Sequence, residues 1–362
     1  MNNDRYYAVI LAGGRGERFW PLSTAQKPKQ LLNLVGERAL IAQAVDRLDG
    51  LIPPERILIL TNKDLVESTR KAVPELPPQN IVGEPVGRDT APAVALAAAL
   101  VKSRCPNGVF CILTADHIIG QLDVFRATLS DALDHASAHD VLITIGIRPT
   151  EPATGYGYIH LGGEISAKGS TVIRKAKKFV EKPDLKTAEA YLAGGEYSWN
   201  AGMFIWAVSS IESAMKKHCP DISELITTLA AAAGQGKLDK VLDEVFGNVR
   251  KISIDYAVME KADNILVAGG EFAWDDVGSW PAIENHFPKD AYGNTLVGDC
   301  QTLESTGNIV YSKDRLTTLL GVQGMIVVQA DGVTLICPRE KAQEIKKMVV
   351  HLRENGSYNE VL

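Results

Sequence analysis

The chain has 362 residues, enough for one large domain or two, and 46% of them are apolar, which is sufficient for a sizeable core. A formal net charge of −6 disfavours a general nucleic-acid or membrane surface, so cations that bind phosphate must be gathered locally. Five cysteines without a C-x-x-C pair predict reduced thiols and a cytoplasmic protein rather than a zinc site or a disulfide framework. The sequence contains no secretory signal pattern and no apolar run of about 18 residues that would cross a membrane.

Strands and helices alternate through roughly the first 150 residues. The predicted strands are 7–12, 56–61, 80–84, 109–114 and 141–147. The predicted helices are 38–48, 64–73, 90–101 and 124–135. This alternation predicts βαβ units and a Rossmann-like, mostly parallel α/β sheet, in which ligands bind at the carboxyl ends of the strands.

The pattern of predicted strands and helices changes after residue 154 and again after residue 290. The middle part predicts further strands, some antiparallel, and helices at 185–192, 211–218 and 222–233. Short β-type runs after residue 290 predict a small β-helix-like domain, closed by an amphipathic helix at 339–352. One face of that helix would carry Ala342, Ile345, Met348, Val349 and Leu352. We predict two domains, 1–288 and 289–362. A homodimer formed through the second domain is a hypothesis, because that segment carries none of the catalytic motifs.

A glycine-rich stretch follows the first predicted strand, which ends at Leu11 and Ala12. Gly13, Gly14 and Gly16 allow a tight turn whose backbone N–H groups suit phosphate oxygens. Four cations lie within fifteen residues: Arg15, Arg18, Lys27 and Lys29. The stretch predicts a polyphosphate site, with a tight turn carrying solvated charges as the alternative. Its glycine order matches neither the dinucleotide-binding motif nor the P-loop, which disfavours a nicotinamide-dependent dehydrogenase.

Other carboxylates are candidates for a site: Glu84 and Asp116 lie at the ends of predicted strands, and Asp275 and Asp276 form a pair late in the sequence. Asp116 suits Mg²⁺ beside a phosphate loop, or alternatively caps the next helix. Asp275 and Asp276 are adjacent, so we expect only one of them to enter a site. Glu84 has the chemistry to accept the N–H groups of guanine, and the neighbouring Arg88 would contact phosphate or pair with an aspartate.

Two more segments suit a phosphorylated sugar. A carboxylate such as Glu181 suits sugar hydroxyls and an ammonium such as Lys182 suits a sugar phosphate, although both also fit a charged strand end stopped by a proline. Asn200 stands among apolar residues and needs hydrogen-bond partners, which either a sugar or the backbone would supply.

A series of motifs stands in one order along about residues 7–285. They are Leu-Ala-Gly-Gly-x-Gly-x-Arg, Pro-Lys-Gln, Glu-Pro-x-x-Arg-x-Thr-Ala-Pro-Ala, Ala-Asp-His, Tyr-Gly-Tyr-Ile, Phe-Val-Glu-Lys-Pro, Trp-Asn-x-Gly-Met-Phe, Ser-Ile-Asp-Tyr-Ala-Val-Met-Glu-Lys and Asp-Val-Gly-Ser-Trp. The series resembles the mannose-1-phosphate guanylyltransferase (GDP-mannose pyrophosphorylase) branch of the sugar-nucleotide pyrophosphorylase family. The resemblance implies a GT-A-like nucleotidyltransferase domain, Mg²⁺ as cofactor, and transfer of GMP from GTP to α-D-mannose 1-phosphate, which yields GDP-mannose and pyrophosphate.

The resemblance also implies roles for the matching residues. The catalytic cations would be Arg18, Lys29 and Lys182. The nucleotide and its phosphates would be held by Leu11, Ala12, Gly13, Gly14, Gly16, Glu84, Arg88 and Thr90. The mannose would face Gly157, Glu181 and Asn200, and Mg²⁺ would bind Asp116 and Asp276. Because the sequence stops before the isomerase domain of the long family members, we expect no mannose-6-phosphate isomerase activity.

The sequence leaves two alternative functions open. The same chemistry on another sugar 1-phosphate or nucleotide would require only a few different pocket residues. A nucleotide-sugar sensor without catalysis is the second alternative, because a fold does not determine a function. The presence of all the expected cations and carboxylates argues against the sensor.

Overall fold

The computed structural model describes residues 4–168, 171–356 and 358–362, and the chain forms two compact units. Unit 1 comprises Met1–Gly13, Ala44–Ala115 and Ile119–Trp274. Unit 2 comprises Gly14–Gln43, Asp116–Ile118 and Asp275–Leu362. Each unit therefore draws on three separate stretches of sequence. The domain boundary predicted between residues 288 and 289 stays a prediction.

The described residues form fifteen strands: β1 (Tyr6–Ala12), β2 (Ile57–Asn62), β3 (Ile81–Glu84), β4 (Val109–Thr114), β5 (Ile118–Ile119), β6 (Leu142–Ile147), β7 (Tyr158–Lys168), β8 (Thr171–Val180), β9 (Tyr197–Ala207), β10 (Ile265–Gly270), β11 (Trp274–Asp275), β12 (Thr295–Leu303), β13 (Ile309–Leu320), β14 (Met325–Ala330) and β15 (Val333–Pro338). They also form nine α-helices: α1 (Leu40–Asp46), α2 (Val66–Ala72), α3 (Thr90–Arg104), α4 (Leu122–Ala138), α5 (Leu185–Gly194), α6 (Val208–His218), α7 (Pro220–Gly234), α8 (Leu238–Val245) and α9 (Ile345–Asn355).

Unit 1 is built on a mixed nine-stranded sheet in the order β3-β2-β1-β4-β9-β6-β10-β8-β7. The four strands β3, β2, β1 and β4 are parallel, as the alternation of the sequence predicts. Their registers pair Ala12 with Thr61 and Asn62 with Glu84, so these strands end along one edge of the sheet. The Rossmann-like α/β class predicted from the sequence is confirmed, and this edge carries Gly13 and Glu84.

Helix α3 shows why an alanine-rich segment suits the core of unit 1. Every residue from Ala91 to Val101 is buried, and the helix packs against β1 and helices α6 and α7. Small side chains let neighbouring backbones approach closely on all sides. Asp89 caps the helix, because its side chain accepts a hydrogen bond from the backbone N–H of Thr90 at 2.8 Å.

Unit 2 contains the four-stranded sheet β12-β13-β14-β15, in which only the last pair is antiparallel. Two fully buried asparagines join its successive turns. Asn308 Nδ2 donates to Asn294 Oδ1 at 2.9 Å, and Asn308 Oδ1 accepts from the backbone N–H of Met325 at 2.9 Å. The predicted small β-helix-like segment is confirmed, and its core continues into Phe19, Trp20 and Trp280.

Some predicted elements differ from the structure. The helix predicted at 339–352 begins as a 3₁₀ turn at Arg339–Glu344 and becomes α-helical as α9, and Met348 is 46% exposed instead of facing the core. Met348 is offset by about 100° from Val349 on the helical wheel of α9, so it lies at the edge of the face that buries Ile345 and Val349. Helix α8 was not predicted, because its eight residues are too few to show a clear helical periodicity in the sequence.

Among the described residues, no helix has the length and apolar character that crossing a membrane requires.

Candidate active site

The glycine-rich loop lies against Lys29 within unit 2. Gly16 has φ +64°, and a Cβ atom added to it would lie 2.4 Å from Lys29 Cβ, so glycine is required here both by conformation and by space. Ser23 Oγ donates to the backbone carbonyl of Gly16 at 2.6 Å and fixes the turn. At Gly14 an added Cβ would meet no atom within 4 Å, so that part of the loop is open.

Lys29 joins the three stretches that make up unit 2. Its side chain is buried, and Nζ donates to Asp116 Oδ2 at 3.0 Å and to the backbone carbonyl of Asp276. Burial raises the pKa of Asp116, but the Lys29 ammonium and the neighbouring His117 outweigh burial and hold the pKa below its ordinary value. Asp116 is therefore an ionised carboxylate at neutral pH.

Asp116 does not cap the following helix, which was the alternative interpretation. Helix α4 begins at Leu122, and Gln121 occupies its N-cap position. Asp116 instead lies within unit 2 beside Lys29, and its side chain is 35% exposed.

Asp275 and Asp276 have different surroundings in unit 2. Asp275 Oδ1 accepts from the backbone N–H of Val277 at 2.7 Å, while Oδ2 lies 3.0 Å from Asn285 Nδ2 and 3.0 Å from His286 Nε2. Burial raises the pKa of Asp275, but the hydrogen bonds from His286 and Asn285 outweigh it and lower the pKa. These bonds hold Val277 at φ +45°, a strained value for a β-branched residue.

An open cleft of about 330 Å³ in unit 2 is lined by several of the predicted phosphate residues and by both predicted metal ligands. We call it the cationic cleft; it is lined by Arg15, Gly16, Glu17, Arg18, Phe19, Lys29, Asp116, His117, Asp276, Gly278 and Lys346. Arg18 Nη1 donates to the carbonyl of Gly278 at 3.3 Å. The cleft thus brings together cations, three carboxylates and part of the glycine-rich loop, whereas Asp275 does not line it.

Glu84 lies at the sheet edge of unit 1, beside the end of β1. The residue is 7% exposed, and Oε1 is buried without a hydrogen-bond partner in the part of the chain that the structure describes. Burial raises the pKa of Glu84 to about 7. A Cβ atom on Gly13 would lie 4.0 Å from Glu84 Oε2, so Glu84 and the residues Leu11 to Gly13 are neighbours. A buried acceptor without a partner is costly unless a ligand satisfies it.

Arg88 and Thr90 make contacts with the chain itself. The Arg88 guanidinium donates to the backbone carbonyl of Gly247, and Thr90 Oγ1 accepts from the backbone N–H of Ile254 at 2.8 Å. These bonds fasten the start of α3 to residues 247–254. The roles of Arg88 and Thr90 in nucleotide binding stay predictions.

A second group of predicted residues meets in unit 1 around Gly157. A Cβ atom at this position would lie 2.5 Å from Glu181 Oε2, so the glycine makes room for the carboxylate. Glu181 Oε1 lies 2.8 Å from Lys182 Nζ, and this hydrogen bond holds the pKa of Lys182 above its ordinary value. Lys182 has φ +46°, an unusual value for a non-glycine residue, and its side chain is 63% exposed.

Asn200 has the partners that a buried amide requires. Its Oδ1 accepts from Thr144 Oγ1 at 3.2 Å and from the backbone N–H of Gly202 at 3.1 Å, and its Nδ2 donates to Asp255 Oδ1 at 2.9 Å. The backbone N–H of Asn200 also donates to the carbonyl of Gly157 at 2.8 Å. We call Gly157, Glu181, Lys182, Asn200 and Asp255 the sugar group.

Asp255 is a member of this group for which the sequence predicted no role. It begins a single π-helical turn, Asp255–Met259, a local geometry often found at functional sites. Burial, and then the nearby Glu181 carboxylate, raise the pKa of Asp255 to about 6. The available signal in the sequence was the place of Asp255 within the Ser-Ile-Asp-Tyr motif.

Two family models match the chain. The nucleotidyl transferase model matches residues 7–292, and the model of the MannoseP isomerase/GMP-like β-helix domain matches residues 298–352. A mannose-1-phosphate guanylyltransferase from Klebsiella pneumoniae is 39% identical over 350 residues, which cover 96% of this chain and 74% of the relative. The chain belongs to the mannose-1-phosphate guanylyltransferase family.

Further comparisons agree with this family membership. A mannose-1-phosphate guanylyltransferase from Escherichia coli strain K12 is 36% identical, with 99% of this chain and 76% of the relative covered. A solved structure from Thermus thermophilus, described as a mannose-1-phosphate geranyltransferase, superposes with a TM-score of 0.85. Its sequence identity is 36%, and 96% of this chain and 99% of that one are covered. This member of the guanylyltransferase family is thus an enzyme of the nucleotidyl transferase class.

Proposed function

We propose that the chain transfers GMP from GTP to α-D-mannose 1-phosphate, which yields GDP-mannose and pyrophosphate. The observation that carries the proposal is Lys29, a buried cation that ties the glycine-rich loop to Asp116 and Asp276 in one cleft. Such a concentration of N–H groups, cations and carboxylates suits a nucleoside triphosphate with its metal ion.

We assign the triphosphate to the cationic cleft. The open backbone at Gly14, the exposed Arg18 and the ammonium of Lys29 would contact phosphate oxygens. The base would lie against Leu11, Ala12 and Gly13, with the N1–H and N2–H₂ groups of guanine donating to Glu84. This assignment would satisfy the buried Oε1 of Glu84.

We assign the mannose 1-phosphate to the sugar group. Glu181 would accept hydrogen bonds from the sugar hydroxyls, Asn200 would donate one through its second Nδ2–H, and Gly157 leaves the space that a side chain would fill. The exposed Lys182 would bind the sugar phosphate. Asp255 would hold the Asn200 amide in place by its hydrogen bond.

The residues of the cationic cleft fit a magnesium ion. Mg²⁺ commonly binds one or two protein carboxylates and completes its shell with substrate phosphates and water. Asp116 and Asp276 would supply those carboxylates, and no group of three or more metal-ligating side chains occurs among the described residues. Bound there, the ion would neutralise part of the phosphate charge.

The reaction then needs positioning and charge neutralisation rather than a general base, because the sugar phosphate is already an anion. An oxygen of mannose 1-phosphate forms a bond to the α-phosphorus of GTP, and the bond from that phosphorus to the bridging β-phosphate oxygen breaks. Arg18 and Lys29 would stabilise the negative charge that grows on the transferred group and on the departing pyrophosphate. We place the reaction in the cytoplasm because all five cysteines are free thiols.

Pyrophosphate release from the purified chain with Mg²⁺ tests the proposal. GTP, ATP, UTP and dTTP should each be combined with the 1-phosphates of mannose, glucose and galactosamine. We expect turnover chiefly with GTP and mannose 1-phosphate. Turnover with another pair would overturn the substrates and keep the chemistry, whereas GDP-mannose binding without any turnover would favour the sensor.

A further inference from the structure

We propose that Lys346, from the C-terminal helix α9, binds the terminal phosphates of the nucleotide and the pyrophosphate that leaves. The inference rests on the proposed function for the identity of the anion. Lys346 belongs to the β-helix-like segment, residues 298–352. All other residues that line the cleft belong to the nucleotidyl transferase segment, residues 7–292.

The packing of α9 within unit 2 directs Lys346 toward the glycine-rich loop. Ile345 and Val349 are buried in the same core as Phe19 and Trp20, which fixes the rotation of the helix. Arg353 Nη2 lies 3.5 Å from Glu17 Oε1 on the loop. Residues 346, 349 and 353 share one helical face because they are three and four positions apart. Lys346 lines the cationic cleft at the end of this face.

The local charges of the helix give Lys346 no structural role. Lys341 and Lys347 both pair with Glu344, at 2.7 Å and 2.8 Å, whereas Lys346 has no ion-pair partner among the described residues. It lies in the first turn of α9, which contains no acidic residue. A cation at this end of a helix is disfavoured by the helix dipole. The exposed ammonium is thus available to an anion in the cleft.

The other cations of the cleft leave a need for such a group. The charge of Lys29 is largely taken up by Asp116 and by the carbonyl of Asp276. Glu17, Asp116 and Asp276 add three negative charges to the lining, against Arg15, Arg18, Lys29 and Lys346. A triphosphate carries about four negative charges at neutral pH, so an uncommitted ammonium at the cleft would add directly to its binding.

The test compares binding of inorganic pyrophosphate, in the presence of Mg²⁺, by calorimetry on the full chain. Lys346→Gln removes the charge, Lys346→Arg keeps it, and Lys347→Gln is the matched control with the same charge change one residue away. We expect Lys346→Gln to weaken pyrophosphate binding about tenfold, as for the loss of one charge-assisted hydrogen bond. Lys346→Arg and Lys347→Gln should stay within about threefold of the unchanged chain.

Kinetics give a second readout that a general loss of structure would not imitate. Lys346→Gln should raise the KM for GTP and the inhibition constant of pyrophosphate, and leave the KM for mannose 1-phosphate unchanged. Equal effects of Lys346→Gln and Lys347→Gln, or no effect of either, would overturn the inference. Pyrophosphate binding is measured without substrates, so a chain that binds pyrophosphate through Lys346 yet uses other substrates would refute only the proposed function.

Discussion

At the scale of single residues, the buried carboxyl of Glu84 predicts that nucleotide binding depends on pH. Its pKa is raised to about 7 by burial, so in the folded protein the group is mostly protonated below that pH and ionised above it. The proposed hydrogen bonds from guanine require the ionised form. The affinity for GDP-mannose should therefore rise roughly tenfold between pH 6 and pH 8.

GDP-mannose is the right probe because its phosphates and guanine do not titrate in this range. The measurement is a calorimetric titration at several pH values for the unchanged chain and for Glu84→Gln. The variant should bind with little dependence on pH, although Asp255, with a pKa of about 6, is still present. The same pH profile in both proteins would remove Glu84 from base recognition.

Gly157 predicts a selective effect on the sugar substrate. Alanine at this position would place Cβ 2.5 Å from Glu181 Oε2, so the carboxylate must move away. Gly157→Ala should raise the KM for mannose 1-phosphate by about tenfold or more and leave the KM for GTP nearly unchanged. Gly155→Ala is the control, because a Cβ there would meet no atom within 4 Å. Equal effects of the two substitutions would count against the sugar group.

At the scale of elements, the two adjacent aspartates Asp275 and Asp276 are expected to have different roles, one in stability and the other in catalysis. Asp276 lines the cleft, so Asp276→Asn should lower the rate of pyrophosphate release at least about a hundredfold with little change in melting temperature. Asp275 instead holds Val277, Asn285 and His286, so Asp275→Asn should lower the melting temperature by a few degrees.

Steady-state kinetics and thermal melting of both variants, at several Mg²⁺ concentrations, distinguish these roles. Only Asp276→Asn is expected to require more Mg²⁺ for half-maximal rate. A reversal, in which Asp275→Asn loses the metal response and keeps its stability, would exchange the two assignments.

The elements also show what the sequence was able to predict. The strand before the glycine loop and the alternation through residue 147 follow from local periodicity, and both are present. The need of Asn200 for partners was also predictable, but the choice of Thr144 and Asp255 was not, because both lie more than fifty residues away. The exposure of Met348 was not predictable, because periodicity along the sequence does not show where the buried part of an amphipathic face ends.

At the scale of the whole molecule, the sequence could not predict which separate stretches come together to form unit 2. The glycine-rich loop, Asp116 and the C-terminal sheet of unit 2 come from three stretches that share no local pattern. Motif order predicted that Lys29, Asp116 and Asp276 act together, but not that Lys29 bonds to both of the others. Long-range packing of this kind depends on the complete tertiary structure rather than on spacing along the chain.

This arrangement predicts that the β-helix-like segment cannot be removed without disrupting the cationic cleft. Truncation after Asp290 would take away β12 to α9 and leave Phe19, Trp20 and Trp280 without much of their core. We expect the shortened chain to aggregate and to lose pyrophosphate binding, measured by size-exclusion chromatography and calorimetry. A monodisperse truncated chain that still binds pyrophosphate would show that the segment is dispensable.

Because unit 2 is built from three separate stretches of sequence, its core cannot be completed until the last stretch has been synthesised. The stretch Gly14–Gln43 leaves the ribosome about 230 residues before the stretch that begins at Asp275. At ordinary rates of translation this is a delay of roughly ten to fifty seconds. During that interval Phe19, Trp20 and Leu32 lack most of the apolar neighbours that later cover them. The nascent chain therefore exposes an apolar segment near its N-terminus until translation is nearly complete. We expect chaperones that bind exposed apolar segments to bind it during that time.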